Sequence, residues 1–151
     1  MEMGCGSGLV SLHMAKAGAK VTAVDLDERA VQATEDSAIM NDLDVRAVQS
    51  DLFSDVRGDF DLIIFNPPYL RGDVRGPDDL CWAGGQDGVQ LTARFLKEAK
   101  EHLEPDGRVL LLVSDDMDPS ALDEALSEWK VRTVASRTLF FEELRVLRLT
   151  L

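Results

Sequence analysis

The residues best suited to chemistry in this chain are Asn66-Pro67-Pro68-Tyr69, which follow directly on the apolar run Phe60-Asp61-Leu62-Ile63-Ile64-Phe65. The run has the make-up of a buried parallel strand, so the tetrapeptide falls at a strand's carboxyl end, where open α/β sheets bind ligands. Two consecutive prolines remove two backbone donors and hold the chain extended. The Asn66 amide and the adjacent backbone carbonyl are then free to face a pocket, with Tyr69 as an apolar wall carrying a polar tip. Such a loop suits a planar NH2 group, which offers hydrogens in its plane and a π-face above it. Read blandly, the same residues are a Pro-Pro turn closing a strand.

A second set lies near the start. Glu2-Met3-Gly4-Cys5-Gly6-Ser7-Gly8 precedes a helical pattern, and Asp25, followed by Leu26, ends the next strand. Glycines at a first βα turn let a ligand approach the backbone, and the helix N-terminus adds a favourable field. An acid at the tip of the second strand can accept both ribose hydroxyls. The spacing is G-x-G-x-G; a dinucleotide fingerprint would need glycine where Leu9 stands, and no Gly-Lys-Ser/Thr follows for phosphate binding. Asp51, at the end of the third strand, could accept the exocyclic amine of an adenine, with Leu52 packing on the ring.

The elements that must hold these residues alternate along the chain. Gly8 to Ala17 reads as a helix with Leu9, Leu12 and His13 on one face, and Lys20 to Asp25 as a strand. Asp27 caps a helix running to about Met40, with Asn41 as its stop. Val45 to Gln49 is a short strand and a sheet edge, and residues 60–65 form another. Residues 70–86 make a Gly- and Asp-rich loop long enough to be functional. A helix from about Gly88 to Leu103 ends in the turn Glu104-Pro105-Asp106-Gly107. Arg108 to Ser114 is a central strand, and Asp118 caps a helix to Trp129 with Pro119 at its first position. Two strands near 131–136 and 144–151 are close enough to pair antiparallel. The series predicts one domain, 1–151, built as a doubly wound, Rossmann-like α/β sheet of seven mostly parallel strands, closed by an antiparallel hairpin. Its first strand is truncated to a stub before Gly4, so either an N-terminal segment has been lost or something else covers the gap.

Composition narrows the function. The net charge is −12, with acid mostly Asp and base mostly Arg. That surface opposes nonspecific nucleic-acid binding and suits a high-salt cytoplasm, as in a halophile. No stretch approaches transmembrane length, no signal peptide is visible, and a reducing cytoplasm is the default. Two cysteines, Cys5 and Cys81, and two histidines, His13 and His102, lack metal-ligand spacing, so no metal is expected in this chain. Cys5 reads as a small filler of the glycine turn, both histidines as helix-surface or packing residues, and Trp129 as a core or helix-end residue. The run Asp115-Asp116-Met117-Asp118 reads as solvated.

Taken together, the glycine segment, Asp25, Asp51-Leu52 and Asn66-Pro67-Pro68-Tyr69 resemble the ordered motifs of class I S-adenosylmethionine-dependent methyltransferases. The Asn-Pro-Pro-Tyr subtype methylates planar amino nitrogens. Trp82-Ala83-Gly84-Gly85-Gln86-Asp87-Gly88 is similar to the segment after that motif in HemK-like enzymes. With Ser136-Arg137 and Glu143-Leu144-Arg145-Val146-Leu147, the pattern is similar to their archaeal and eukaryotic branch, which methylates the glutamine of the Gly-Gly-Gln loop in class I release factors. The resemblance implies that Glu2 and Gly4, with Cys5, Gly6 and Gly8, line the methionine end of S-adenosylmethionine. It implies that Asp25 takes the ribose, and Asp51 and Leu52 the adenine, with Leu26 also against the cofactor. Asn66 would bridge cofactor and substrate, with Pro67, Pro68 and Tyr69 completing the catalytic loop and Trp82 a candidate substrate contact. It also implies an upstream segment that helps cover the cofactor, and an obligate small zinc-binding activator protein that adds a strand at the edge 45–49. A nucleic-acid amino group and a protein lysine remain alternative acceptors, and a non-enzymatic cofactor-binding remnant stays open as well.

Overall fold

A computed structural model describes residues 1–73, 75, 76, 79 and 81–151; residues 74, 77, 78 and 80, in the loop expected over 70–86, lie outside the described residues. The alternation read from the sequence is realised as β1 (Glu2–Met3), α1 (Leu9–Lys16), β2 (Val21–Asp25), α2 (Glu28–Met40), β3 (Val45–Gln49), β4 (Phe60–Phe65), α3 (Gln90–Ala99), β5 (Leu103–Ser114), α4 (Pro119–Leu126), β6 (Lys130–Thr138) and β7 (Glu143–Thr150). The seven strands lie in the order β3-β2-β1-β4-β5-β7-β6, with β1 to β5 parallel and β7 antiparallel to both β5 and β6. This is the Rossmann-like sheet with a terminal antiparallel hairpin, and β3 is an edge strand as expected.

Local signals account for much of this. Asp27 accepts from the Arg29 N–H and Asp118 from the Ala121 N–H, so both caps satisfy donors at helix starts, and Pro119 sits in the first turn of α4. In α3 the buried residues Thr92, Phe95, Leu96 and Ala99 recur at helical spacing and face the odd-numbered side of the sheet, where Ile63, Phe65, Val109, Leu111, Val113, Leu147 and Leu149 are buried. Phe95 is fully buried against Phe53 and Phe65, with ring centroids 5.7 and 4.5 Å away. Truncating it to Ala would cost about 3–5 kcal/mol.

The structure corrects four expectations. The inward residue of α1 is Ser11, fully buried, while Leu9 is 63% exposed, because the buried Glu2 carboxylate needs the donors Ser11 supplies. The helix expected to reach Leu103 stops at Ala99 and tightens into a 3₁₀ turn over Lys100–His102. Glu104 to Gly107 is not a separate turn but an irregularity inside β5: Phe60 pairs with Leu103 and Leu62 with Arg108, so the extra residues are accommodated between those pairs. Met117, placed in a solvated run, is buried in the core, while Asp115 and Asp116 beside it are exposed. Trp129 is buried in the core, and His102 stacks on Phe53 at 4.6 Å.

Candidate functional site

The candidate loops leave the sheet side by side. Met3 and Phe65 are paired residues of the adjacent parallel strands β1 and β4, so Gly4 and Asn66 are the next residues on neighbouring strands. The closeness is measurable: a Cβ on Gly4 would stand 3.3 Å from the Phe65 ring and 4.0 Å from the Asn66 carbonyl oxygen.

Behind Gly4 the chain turns through left-handed residues, at φ 65° for Gly4, 53° for Gly6 and 77° for Gly8. The Cys5 N–H donates to Val24 O at 3.0 Å and the Gly8 N–H to Cys5 O at 2.8 Å, which ties the loop to β2 and to itself. Thr34 of α2 backs it, donating to Gly6 O at 3.3 Å and lying 3.4 Å from Cys5 Sγ. Burial pushes the Cys5 thiol up to about 11, so this cysteine fills space and is no nucleophile near neutral pH. At the loop mouth, Asp25 accepts from the Gly6 N–H at 2.9 Å through Oδ2 and from the Asp27 N–H at 3.0 Å through Oδ1. Both oxygens are thereby oriented before any ligand arrives. Glu2 is buried under the loop, its Oε2 accepting from the Ser11 N–H at 2.7 Å and the Ser11 hydroxyl at 2.5 Å. Burial raises its pKa above the ordinary 4.5, against the opposing pull of the Ser11 donors.

Farther along the sheet edge, Leu26 is half-exposed beyond β2. β3 ends at Gln49, so Asp51 lies in the turn after it rather than on its last residue. Its Oδ1 is held by Arg94 of α3 at 2.7 Å, and Leu52, at φ 48°, is buried in the core cluster. Arg94 also reaches Glu98 at 3.2 Å.

Asn66 is exposed, Pro67 buried, and Pro68 and Tyr69 half-buried. The segment 84–88 passes directly beneath them. A Cβ on Gly84 would come within 2.7 Å of Pro68 O and 2.6 Å of Gly88 O, and one on Gly88 would collide with Tyr69 O. Only glycine permits that backbone-to-backbone approach, which gives the Gly84 and Gly88 positions a physical reason. Trp82 is 38% exposed on the flank of this loop; its carbonyl accepts from the Leu70 N–H at 3.0 Å, and its ring packs on Gly72.

Three site residues escaped the sequence reading. Glu142, from the β6–β7 turn, accepts from the Ser114 hydroxyl at 2.5 Å, and its charge acts on Tyr69. Burial first, and then the Glu142 charge and hydrogen bond, hold the Tyr69 phenol above its ordinary pKa of 10. Ser114 is the second, and Arg94, which holds Asp51, the third. Nothing local marks any of them: each is brought in from a distant element by the sheet order. Among the described residues, no group of three or more His, Cys, Asp or Glu side chains could hold a metal ion, and no helix is long and apolar enough to cross a membrane.

The family model described as methyltransferase small domain matches residues 1–140. The putative protein N5-glutamine methyltransferase of Methanocaldococcus jannaschii is 35% identical over 97% of this chain and 78% of its own. The E. cuniculi Mtq2–Trm112 complex, responsible for methylation of the eRF1 translation termination factor, superposes with a TM-score of 0.76 at 22% identity, over 98% of this chain and 81% of that one, a likeness of fold. The 16S rRNA N2 G1207 methyltransferase of T. thermophilus, in complex with AdoMet and guanosine, gives a TM-score of 0.68 at 25% identity, over 98% of this chain but only 36% of that one.

Proposed function

This chain belongs to the methyltransferase small domain family, and from that premise we propose that it transfers a methyl group from S-adenosylmethionine to the side-chain amide nitrogen of the glutamine in the Gly-Gly-Gln loop of a class I release factor. The observation that carries the reading is the pairing of Met3 with Phe65, which sets the glycine loop and the Asn66 loop next to one another as a donor side and an acceptor side.

The donor side fits the cofactor. A Cβ on Gly6 would meet nothing within 4 Å, so that face of the loop is open, and Asp25 stands beside it with both oxygens oriented. Asp25 takes the ribose hydroxyls, and the exposed Leu26 beside it offers apolar surface to the cofactor. Glu2, with Gly4, Cys5, Gly6 and Gly8, forms the methionine end, where a buried carboxylate suits an ammonium. Arg94 occupies Asp51 Oδ1, which leaves Oδ2 for the adenine amine, with Leu52 beneath.

When bound, S-adenosylmethionine supplies a methyl group on a sulfonium that leaves as a neutral thioether. The residues of this chain have then to prepare a poor nucleophile, because an amide lone pair is delocalised into its carbonyl. The Asn66 side-chain oxygen and the Pro67 carbonyl each accept one N–H of the acceptor amide, which favours a pyramidal nitrogen with its lone pair toward the methyl. Tyr69, held by Glu142, fixes the amide plane, and Trp82 flanks the entry. Bound there, the cofactor would supply the methyl group to that lone pair, and the methylated nitrogen would give up its surplus proton to water. Positioning and electrostatics supply the rate.

A small zinc-binding activator protein fits the opposite margin of the sheet. The β3 edge is an open row of hydrogen-bonding groups. Beside it the end of α2 exposes Ile39 at 77% and Met40 at 83%, apolar surface that an added strand and its flanks would cover.

The rRNA relative makes a nucleic-acid amino group the second reading, and a net charge of −12 opposes it. Mass spectrometry of release factor incubated with the chain, its activator and labelled cofactor tests the proposal. Label on the Gly-Gly-Gln glutamine is expected; label on RNA or on lysine instead would overturn it. Asn66→Ala should keep its fold and cofactor affinity while losing about 10²–10³-fold in transfer, the scale of one preorganised polar contact to the reacting group.

A further inference from the structure

Among the described residues the most exposed apolar side chains are Phe140 and Phe141, both fully exposed. They are the two central residues of a tight hairpin loop: Thr138 pairs with Glu143, and the Leu139 N–H donates to Glu142 O at 2.7 Å. Two-residue hairpin loops favour Asn-Gly and similar pairs, whose positive φ matches the strand twist. Neither phenylalanine has a positive φ. The sequence therefore places two large aromatic rings where the turn does not want them and where the fold gives them nothing to pack on.

The base of this hairpin is tied to the catalytic loop. Glu142 accepts from the Ser114 hydroxyl at 2.5 Å and its charge acts on Tyr69; the Glu143 N–H donates to Asp115 Oδ1 at 3.0 Å, and the Asp115 N–H to Glu143 O at 3.1 Å. β6 ends, and β7 begins, at the same margin of the sheet as the end of β5, where Ser114 pairs with Leu144. The tip thus projects from the acceptor side of the site. Asp115, Glu142 and Glu143 stand at its base, with the exposed Arg137 one pair farther down the ladder.

We propose that the Phe140–Phe141 tip is the docking anchor for the protein acceptor, inserting into an apolar pocket bordered by basic side chains on the protein that carries the glutamine. Aromatic anchors seated in a partner's pocket, ringed by complementary charge, dominate binding energy at interfaces. Anchoring on the hairpin gives the acceptor a fixed offset from Tyr69, so the pocket need hold only the amide itself. The inference rests on the protein-acceptor reading above.

The test replaces the tip by a better turn, Phe140→Asn with Phe141→Gly, which removes both rings and favours the hairpin. Transfer is measured, with the activator present, to intact release factor and to a short peptide containing only its Gly-Gly-Gln loop. The expected result is a KM for the intact protein raised by about tenfold or more, with kcat, cofactor Kd and Tm retained and peptide kinetics unchanged. Phe140→Leu with Phe141→Leu should recover part of the loss. An unchanged KM for intact protein would overturn the docking role, and so would an equal loss on protein and peptide, which would mean damage to the site. If the unsubstituted chain methylates no protein glutamine, the acceptor reading itself fails and the anchor falls with it.

Discussion

Gly8→Ala tests whether the glycine loop is shaped by what lies behind it. Gly8 caps α1 at φ 77°, and an added Cβ would stand 2.7 Å from Thr34 Oγ1, 2.8 Å from its Cγ2 and 3.1 Å from its Cβ. Thr34 cannot swing away freely, being fully buried in α2 and bonded to the loop it supports. A left-handed alanine costs roughly 1–2 kcal/mol, and overpacking of this kind adds about 1–3 kcal/mol. The variant should therefore lose about 2–5 kcal/mol, which for a chain of this size lowers Tm by roughly 4–20 °C. Thr34→Ala alone removes the two nearest atoms and a hydrogen bond, at about 1 kcal/mol. In the double variant only the 3.1 Å approach to Cβ and the backbone strain remain, so its loss should fall short of the sum by about 1 kcal/mol or more. Urea denaturation of the four proteins, with calorimetric titration of S-adenosylmethionine into each, reads both fold and loop. A Gly8→Ala protein as stable as the parent, or a cycle that adds without coupling, would refute the reasoning.

Two further perturbations probe the buried and paired groups. Burial raises the Glu2 carboxyl above 4.5, so its charged form opposes folding once the pH passes the folded-state value. Glu2→Gln keeps an acceptor for Ser11 and should raise the urea midpoint at neutral pH, while S-adenosylmethionine affinity falls; in the parent, calorimetry should show affinity weakening as the pH drops through that raised value, a slope the variant lacks. Tyr69 is the single tyrosine, so ultraviolet titration reads its phenol alone. The midpoint should lie above 10 in the parent and move down in Glu142→Ala, together with a loss in kcat, and an unmoved midpoint would count against the Glu142 contact.

Short-range rules made a large part of the molecule readable from its residues. β3 at Val45–Gln49 and β4 at Phe60–Phe65 fall where their apolar, β-branched composition put them, and the Asp27 and Asp118 caps are in place because a cap involves residues only two or three positions away. Asn66-Pro67-Pro68-Tyr69 was legible as a loop at a strand end for the same reason. The helix after Gly88 ended early and the Glu104–Gly107 turn was drawn into β5, since pairing with Phe60 and Leu62, not local turn chemistry, decides how far β5 extends.

The sequence by itself determined which candidate groups are present: a glycine loop, a strand-end acid and the Asn66-Pro67-Pro68-Tyr69 loop, each written in neighbouring residues. Only the tertiary structure decided how they are aimed. Ser11 turns inward because a carboxylate nine positions away is buried and must be satisfied, and Arg94 meets Asp51 across 43 positions. Glu142 reaches Ser114 and Tyr69 because β7 inserts beside β5 and carries the hairpin to the acceptor side. Such contacts depend on the order of strands in the sheet, which burial of the whole core selects and no local pattern encodes.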